Sequence, residues 1–106
     1  MITWKQLCQS VLAGTSAVYA APALTTTAIH QATAWNPSAS AVAVKIFIVP
    51  AAGAAADATA VWLTSVPAGT SVQIPQIIGH KLQAGQQLYA SGTGVTLTVS
   101  GAENVA

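Results

Sequence analysis

Four side chains in this 106-residue sequence are carboxylates or imidazoles, the groups that most often act as general acids and bases. The carboxylates are Asp57, in an alanine-rich segment, and Glu103, near the C-terminus. A hydrolase with paired carboxylates would need these two distant segments to converge. His30 and His80 have no neighbouring acid in the sequence to orient their rings, so we interpret both as solvated or interface residues. No serine lies in a nucleophile-elbow pattern. The sequence therefore predicts no catalytic residue and no enzyme.

The sequence also lacks the patterns that hold metals, cofactors or nucleic acids. Cys8 is the single cysteine, so no intrachain disulfide can form, and no Cys/His cluster has metal-ligand spacing. Gly92 and Gly94 precede a predicted strand rather than a helix, which argues against a phosphate-binding loop. Three lysines and no arginine give little positive charge for a phosphate backbone. No apolar run reaches the roughly 18 residues of a membrane helix. We therefore expect no metal, no cofactor, no nucleic-acid partner and no membrane contact.

The low charge of the chain instead favours association with other proteins. Charged residues make up 5% of the sequence and the formal net charge is +1. An ordinary soluble domain has about 25% charged residues. A surface with so few ions provides little electrostatic repulsion between molecules. We therefore expect the working form to be a homo-oligomer or part of a larger assembly.

Most of the chain after residue 14 has the two-residue periodicity of β-strands. The clearest run is GVTLTVSG, in which Val95, Leu97 and Val99 alternate with hydroxyl residues. The run AVAVKIFIVP is apolar on both faces, which is typical of a strand at the centre of a sheet or covered by a neighbouring subunit. Turn signals separate these runs at intervals of about 8 to 12 residues. The pattern predicts an all-β domain over residues 14–106, an antiparallel β-sandwich of jelly-roll or immunoglobulin-like type with about seven or eight strands.

The first thirteen residues have a different pattern. Their apolar residues follow the three-and-four spacing of an amphipathic helix, and Gly14 is placed to cap its C-terminus. The sequence therefore predicts a short N-terminal helix over residues 2–13, and residues 1–13 form an arm outside the sandwich. We expect deletion of this arm to leave a folded domain that no longer joins its assembly. The apolar positions are Trp4, Leu7, Cys8, Val11 and Leu12.

The segment TSAVYAAPA, residues 15–23, has two interpretations. Small residues that end in Ala-x-Ala after an apolar run are typical of a secretory cleavage site, which would make the protein an exported adhesin or pilus-like subunit. The hydrophobic region of a signal peptide should be apolar on all sides, whereas residues 2–13 are amphipathic and contain Gln6 and Gln9. We therefore favour a strand that ends before Pro22, and retain export as an alternative.

Three tryptophans are many for a chain with one phenylalanine, and tryptophan is enriched in cores and in interface anchors. Strict alternation places Trp35 on a mixed face with Ile29, Gln31 and Thr33. Burial in the core is the first interpretation of each tryptophan. For Trp4 a contact is favoured, because a helix outside the sandwich must dock on its own sheet or on a neighbour. In a carbohydrate-binding module, an exposed Trp35 or Trp62 would instead stack on a sugar ring. The residues predicted to contact a partner protein are Trp4, Leu7, Val11, Trp35, Phe47 and Trp62.

Four stretches of the sequence occur in an order that resembles a group of small accessory virion proteins of tailed bacteriophages. The shared features are a strand that leads into a proline turn, a pair of strands with the pattern NxxxxxVxVxxxxVP, a GxxxxxP hairpin and a terminal SGxE. The resemblance covers nearly everything after residue 14, although the alanine-rich loop and the rarity of charge depart from it. It implies a β-sandwich displayed on, or built into, a virus particle. The stretches are AVYAAPA, TTTAIHQATAWNPSASAVAVKIFIVPAAGAAADA, VPAGTSVQIPQIIGHKLQAGQQLYA and VTLTVSGAE.

Composition and resemblance together give one functional hypothesis. The chain is expected to be a non-enzymatic structural protein of a tailed-phage virion, as a capsid decoration or cement subunit that stabilises the particle through hydrophobic contacts. A neck, collar or tail component is the nearest alternative, and a carbohydrate-binding or adhesin-type module is another. The expected partners are copies of the chain and other virion proteins, namely the major capsid protein or neck and tail proteins. The expected location is the virion, assembled in the cytoplasm of the bacterial host.

Overall fold

A computed structural model describes residues 2–51 and 53–105 of the chain. These residues form nine strands and two single turns of 3-10 helix, at Asp57–Thr59 and Pro75–Ile77. They contain no α-helix, and none of their helical turns is long and apolar enough to cross a membrane. The strands are β1 (Ile2–Val11), β2 (Ser16–Ala20), β3 (Thr25–Asn36), β4 (Val42–Val49), β5 (Ala60–Val66), β6 (Thr70–Gln73), β7 (Lys81–Leu82), β8 (Gln87–Ser91) and β9 (Thr96–Val105).

The strands form two sheets in which neighbouring strands are antiparallel. The five-stranded sheet has the order β1-β9-β3-β6, with the short β7 also paired to β3, and the four-stranded sheet has the order β2-β8-β4-β5. Four of the strand pairs are nested along the chain: β4 with β5, β3 with β6, β2 with β8 and β1 with β9. In addition, β3 pairs with β9 and β4 pairs with β8. These nested pairs belong alternately to the two sheets. The prediction of an all-β, antiparallel fold is therefore confirmed.

A hydrophobic core takes side chains from both sheets. On β9, Leu97 and Val99 are fully buried, and the hydroxyl residues that alternate with them face outward, as the sequence pattern predicts. Val44 and Ile46 of β4 belong to the same buried cluster from the four-stranded sheet. Full burial of an aliphatic side chain of this size contributes about 1.5–3 kcal/mol. Because β4 lies between β8 and β5, the prediction of a central strand is also confirmed.

The predicted N-terminal helix is wrong, because residues 2–11 form the edge strand β1, which pairs with β9 along its length. A β-bulge inserts Leu7 into β1, between the residues that lie opposite Ser100 and Val99. The extra residue shifts the alternation by one position. Apolar residues on the two sides of the bulge therefore acquire the three-and-four spacing of a helix. Leu12, which follows the strand, is almost fully buried in the core.

A second bulge changes the face on which Trp35 lies. His30 is the extra residue in β3, beside the same part of β9 as the bulge in β1. Ile29, before the bulge, is fully buried, whereas Gln31, after it, is exposed on the outer face with Trp35. Strict alternation fails here because it places Ile29 and Trp35 on one face.

The segment at residues 15–23 contains β2, which Pro22 follows after a one-residue gap. The strand interpretation of this segment is therefore confirmed in the folded chain. β2 has its own bulge at Val18, since Ala17 lies opposite Tyr89 and Tyr19 lies opposite Leu88. Both β2 and β1 are edge strands, one in each sheet.

Candidate interaction surface

The outer face of the five-stranded sheet carries exposed apolar side chains near both ends. Near one end, Trp35 on β3 and Val11 on β1 lie on either side of Thr96 of β9. Trp35 is 42% exposed and Val11 is 70% exposed. Near the other end, Trp4 lies opposite Ala102 of β9 and is 70% exposed. Since a strand advances about 3.4 Å per residue, the two ends lie about 20 Å apart on the same face.

Trp4 packs against His30 on this face. Their ring centroids are 4.7 Å apart and the ring planes are inclined by 38°. The two residues belong to β1 and β3, the strands that flank β9. His30 is the bulge residue of β3, so the position of this aromatic pair depends on an irregularity in the strand. Both residues were interface candidates in the sequence, but the sequence did not predict a contact between them.

Side-chain amides and hydroxyls lie between the aromatic ends. Gln73 of β6 donates through Nε2 to Oε1 of Gln31 at 2.8 Å. Gln9 of β1 donates through Nε2 to Oγ1 of Thr98 at 3.3 Å. These contacts hold exposed polar side chains in fixed positions across the strands, so the face is mixed aromatic and polar.

Part of the outer face of the four-stranded sheet is buried within the chain, although Leu63 of β5 is exposed on it. Phe47 of β4, predicted to contact a partner, is 5% exposed. The ammonium of Lys45 lies 5.4 Å from the centroid of the Phe47 ring and donates to Oδ1 of Asp57 at 2.5 Å. Lys45 lowers the pKa of Asp57 through this hydrogen bond and its charge. The alanine-rich loop begins with a tight turn, in which the backbone N–H of Gly53 donates to the carbonyl oxygen of Pro50 at 2.9 Å.

The remaining two predicted contact residues, Leu7 and Trp62, are half-buried and pack against the core. Trp62 lies opposite Ile46 in β5, on the side of the strand that also carries the buried Val66. Of the six predicted residues, the structure places Trp4, Val11 and Trp35 on one outer face, with Val11 and Trp35 near one end and Trp4 near the other. It places the other three against the protein's own side chains.

A polar cluster joins the two sheets. The Tyr19 hydroxyl of β2 hydrogen-bonds to Oγ1 of Thr27 at 2.8 Å and donates to the carboxylate of Glu103. Lys5 donates to Oε1 of Glu103 at 3.3 Å. Burial, and then the hydrogen bond to Glu103, raises the pKa of Tyr19 to about 12. The hydrogen bond from Tyr19 lowers the pKa of Glu103, and Lys5 lowers it further.

This cluster was not predicted from the sequence, which indicated a tail position for Glu103. Glu103 instead lies within β9, and its partners Tyr19 and Lys5 are more than eighty residues away along the chain. A local sequence pattern does not reveal contacts between residues so far apart in the chain, because these contacts depend on how the two sheets pack on each other.

Cys8 lies on β1 opposite Val99 and is partly buried. Burial raises the pKa of its thiol to about 11. The thiol therefore stays protonated at neutral pH, which is the state of an inert structural cysteine rather than a nucleophile.

Within residues 2–51 and 53–105, no three His, Cys, Asp or Glu side chains are grouped so that they could hold one metal ion. This part of the chain also forms no pocket. The exposed outer face of the five-stranded sheet is therefore the candidate site. No family model, no curated protein and no solved structure matches the chain.

Proposed function

We propose that this chain is a non-enzymatic structural subunit of a tailed-bacteriophage virion, and that it binds the capsid as a decoration or cement subunit. Support for the virion comes from the resemblance in motif order described above. Support for a structural role comes from the surface of β1. The alternative is that the same subunit belongs to the neck, collar or tail of the virion.

We further propose that the two sheets form a β-sandwich of the jelly-roll type. Nested pairing, with the first strand against the last and successive pairs in alternate sheets, is the arrangement of a long hairpin rolled into two layers. An immunoglobulin-like sandwich does not require the first and last strands to pair. Jelly rolls occur in viral capsid proteins, and this association of fold with function supports the proposal only by analogy.

The observation that carries the proposal is the exposed apolar surface of β1. Ile2, Trp4 and Val11 are all exposed on this strand. β1 pairs with β9 on one side, and its other edge pairs with no strand of the described chain. Exposed apolar side chains next to an open backbone edge are a ready surface for association with another chain.

In a multivalent particle, burial of a modest apolar area at this edge is sufficient for attachment. Each 100 Å² of apolar area removed from water contributes about 2.5 kcal/mol before the costs of association. A symmetric shell presents many equivalent sites, which raises the effective concentration of each contact. Trp4 supplies the largest exposed aromatic surface on β1, so we expect it to be the anchor.

Substitution tests this role better than truncation. Deletion of residues 1–13 would remove the whole of β1 and the buried Leu12, so loss of assembly would follow from unfolding alone. The double variant Trp4→Gln, Val11→Gln keeps the strand and removes two of its three exposed apolar side chains. The matched control is Leu63→Gln, which removes an exposed apolar side chain from β5 of the other sheet.

The measurement is the copy number of each variant in purified particles of the encoding phage, relative to major capsid protein, by quantitative mass spectrometry. The wild type and the Leu63→Gln control should be incorporated, whereas the double variant should be folded and largely absent. Hundreds of wild-type copies would support a shell position, and about six or twelve would support a neck or tail ring. Absence of the wild type from the particles would disprove the virion role.

A further inference from the structure

We propose that the outer face of the β3–β6 pair binds a neutral polysaccharide. The site, named here the Trp35 patch, consists of Trp35, Thr33 and Gln31 of β3 together with Ser71 and Gln73 of β6. Trp35 lies opposite Ser71, and Thr33 lies opposite Gln73. This inference goes beyond the structural role proposed above, which depends on the β1 edge.

The indole of Trp35 is a platform for stacking. It is 42% exposed, and its cross-strand neighbours are Thr96 and Ser71, whose side chains are small. Small neighbours leave much of the ring in contact with solvent. A flat aromatic ring of this size packs well against the C–H face of a pyranose ring, which is apolar in the middle and polar at its rim.

The two amides beside Trp35 supply hydrogen-bonding groups for that rim. Gln73 donates to Gln31 at 2.8 Å, which uses one donor of Gln73 and one acceptor site of Gln31. The Nε2 group of Gln31 and Oε1 of Gln73 remain as donor and acceptor. A sugar hydroxyl both donates and accepts, so this amide pair matches its chemistry. The mutual hydrogen bond also fixes the two side chains before any ligand arrives, which lowers the entropy cost of binding.

The absence of charge within the Trp35 patch selects an uncharged ligand. None of its five side chains is ionisable, so an acidic glycan or a nucleic acid would find no counter-charge there. Lys81, on β7 of the same sheet, is not part of the patch. It lies opposite Ala28, and its ammonium donates to the carbonyl oxygen of Gly79. Charge complementarity therefore favours a neutral polymer.

The composition of the Trp35 patch also separates it from a protein-binding surface. Four of its five side chains are polar, and serine is depleted at the cores of protein interfaces. A protein partner would have to desolvate the amide pair, whereas sugar hydroxyls would replace the water hydrogen bonds that the pair loses. The β1 edge differs in that it carries three exposed apolar side chains, Ile2, Trp4 and Val11, whereas Trp35 is the one apolar side chain of the patch.

The test is retention of the purified full-length protein by three insoluble neutral polysaccharides, namely cellulose, chitin and starch granules. The wild type should be retained by at least one of them, and the Trp35→Ala variant should lose retention by about tenfold or more. The matched control is Trp4→Ala, which removes an exposed tryptophan at the other end of the same sheet and should keep wild-type retention.

A second variant protects the test against misfolding of Trp35→Ala. Gln31→Ala removes an exposed amide without touching the core, and it should also weaken retention while circular dichroism stays unchanged. Failure of the wild type to bind all three polymers would overturn the proposal, as would equal retention of wild type and both patch variants.

The same variants separate this inference from the structural role. Trp35→Ala should enter particles normally, whereas the Trp4→Gln, Val11→Gln double variant should not. Oxidative footprinting of assembled particles provides a direct check on Trp35. Full protection of its ring in the particle would mean that a protein covers the Trp35 patch, and the polysaccharide proposal would then be rejected even if assembly is as proposed.

Discussion

The hydroxyl of Tyr19 donates a hydrogen bond to the carboxylate of Glu103, and this contact links the four-stranded sheet to the five-stranded sheet. The same hydroxyl hydrogen-bonds to Thr27, and the same carboxylate accepts from Lys5. The cluster therefore couples β2 to three elements of the opposite sheet. Because the Glu103 side chain is only 13% exposed, its charge depends on these partners for much of its stabilisation.

The stability of the protein should depend on pH through Glu103. Its pKa is lowered in the folded state, so the charged form stabilises the fold. This contribution is fully present above the unfolded pKa of about 4.3 and is lost as the pH falls through the folded value. Urea denaturation of the wild type should show decreasing stability below about pH 5. The Glu103→Gln variant should be less stable at pH 7, by about 2 kcal/mol, and should lose less on acidification.

Asp57→Asn is the control, because Asp57 and Glu103 are the two side-chain carboxylates of the sequence. Asp57 is exposed, so its pairing with Lys45 is screened by solvent and its variant should keep most of the wild-type acid response. An identical pH profile for wild type and Glu103→Gln would show that the contact with Tyr19 contributes nothing to stability.

The thiol of Cys8 should react slowly in the folded protein. Burial raises its pKa from the ordinary value of 9.0 to about 11. This rise lowers the thiolate fraction at pH 8 about 100-fold, and the alkylation rate falls with it. Iodoacetamide labelling followed by mass spectrometry should therefore be about 100-fold slower in buffer than in concentrated urea. Comparable rates would indicate that β1 opens readily from β9.

The strands that alternate without interruption were predicted correctly. β9 and β4 keep the two-residue period through their buried segments, and one face of each enters the core. Burial alone decides the face in such a strand, so the pattern of residue types is sufficient to identify it.

The errors lie where a bulge interrupts the period. The extra residue Leu7 gives β1 the spacing of a helix, and the extra residue His30 moves Ile29 away from the face of Trp35. A bulge is stabilised by the neighbouring strand, so a single strand's sequence does not reveal it. For the same reason, the sequence identified the tryptophans as candidates but not the amide pair of Gln31 and Gln73, which comes from two strands.

Gly101 should be essential for the packing of β9 between its bulged neighbours. A Cβ atom at this position would lie 2.0 Å from the carbonyl oxygen of Ala28 and 3.2 Å from Cδ1 of Leu7. The backbone oxygen cannot move without distorting β3, so Gly101→Ala should destabilise the protein by about 3 kcal/mol. The control is Gly14→Ala, because a Cβ there meets nothing within 4 Å. Thermal unfolding of both variants checks the difference, and equal melting temperatures would contradict the close packing at Gly101.

Asn36 should be the main polar support of the turn after β3. Its side chain is fully buried, and Nδ2 donates to the carbonyl oxygens of Val66 and Ser40, each at 2.9 Å. Its Oδ1 accepts from the backbone N–H and the hydroxyl of Ser38, at 3.0 and 2.7 Å. Asn36→Ala would leave the buried carbonyl of Val66 without this donor, at a cost of about 2–3 kcal/mol.

Ser38→Ala provides the comparison, because it removes one hydroxyl at an exposed position and keeps the backbone hydrogen bond to Asn36. It should cost less than about 1 kcal/mol. Denaturant unfolding of the two variants measures both values with the same method. Since the asparagine joins the turn after β3 to the end of β5, Asn36→Ala should also increase amide exchange at both segments. A similar small loss for both variants would mean that water replaces the Asn36 hydrogen bonds, and the buried side chain would then have no special structural role.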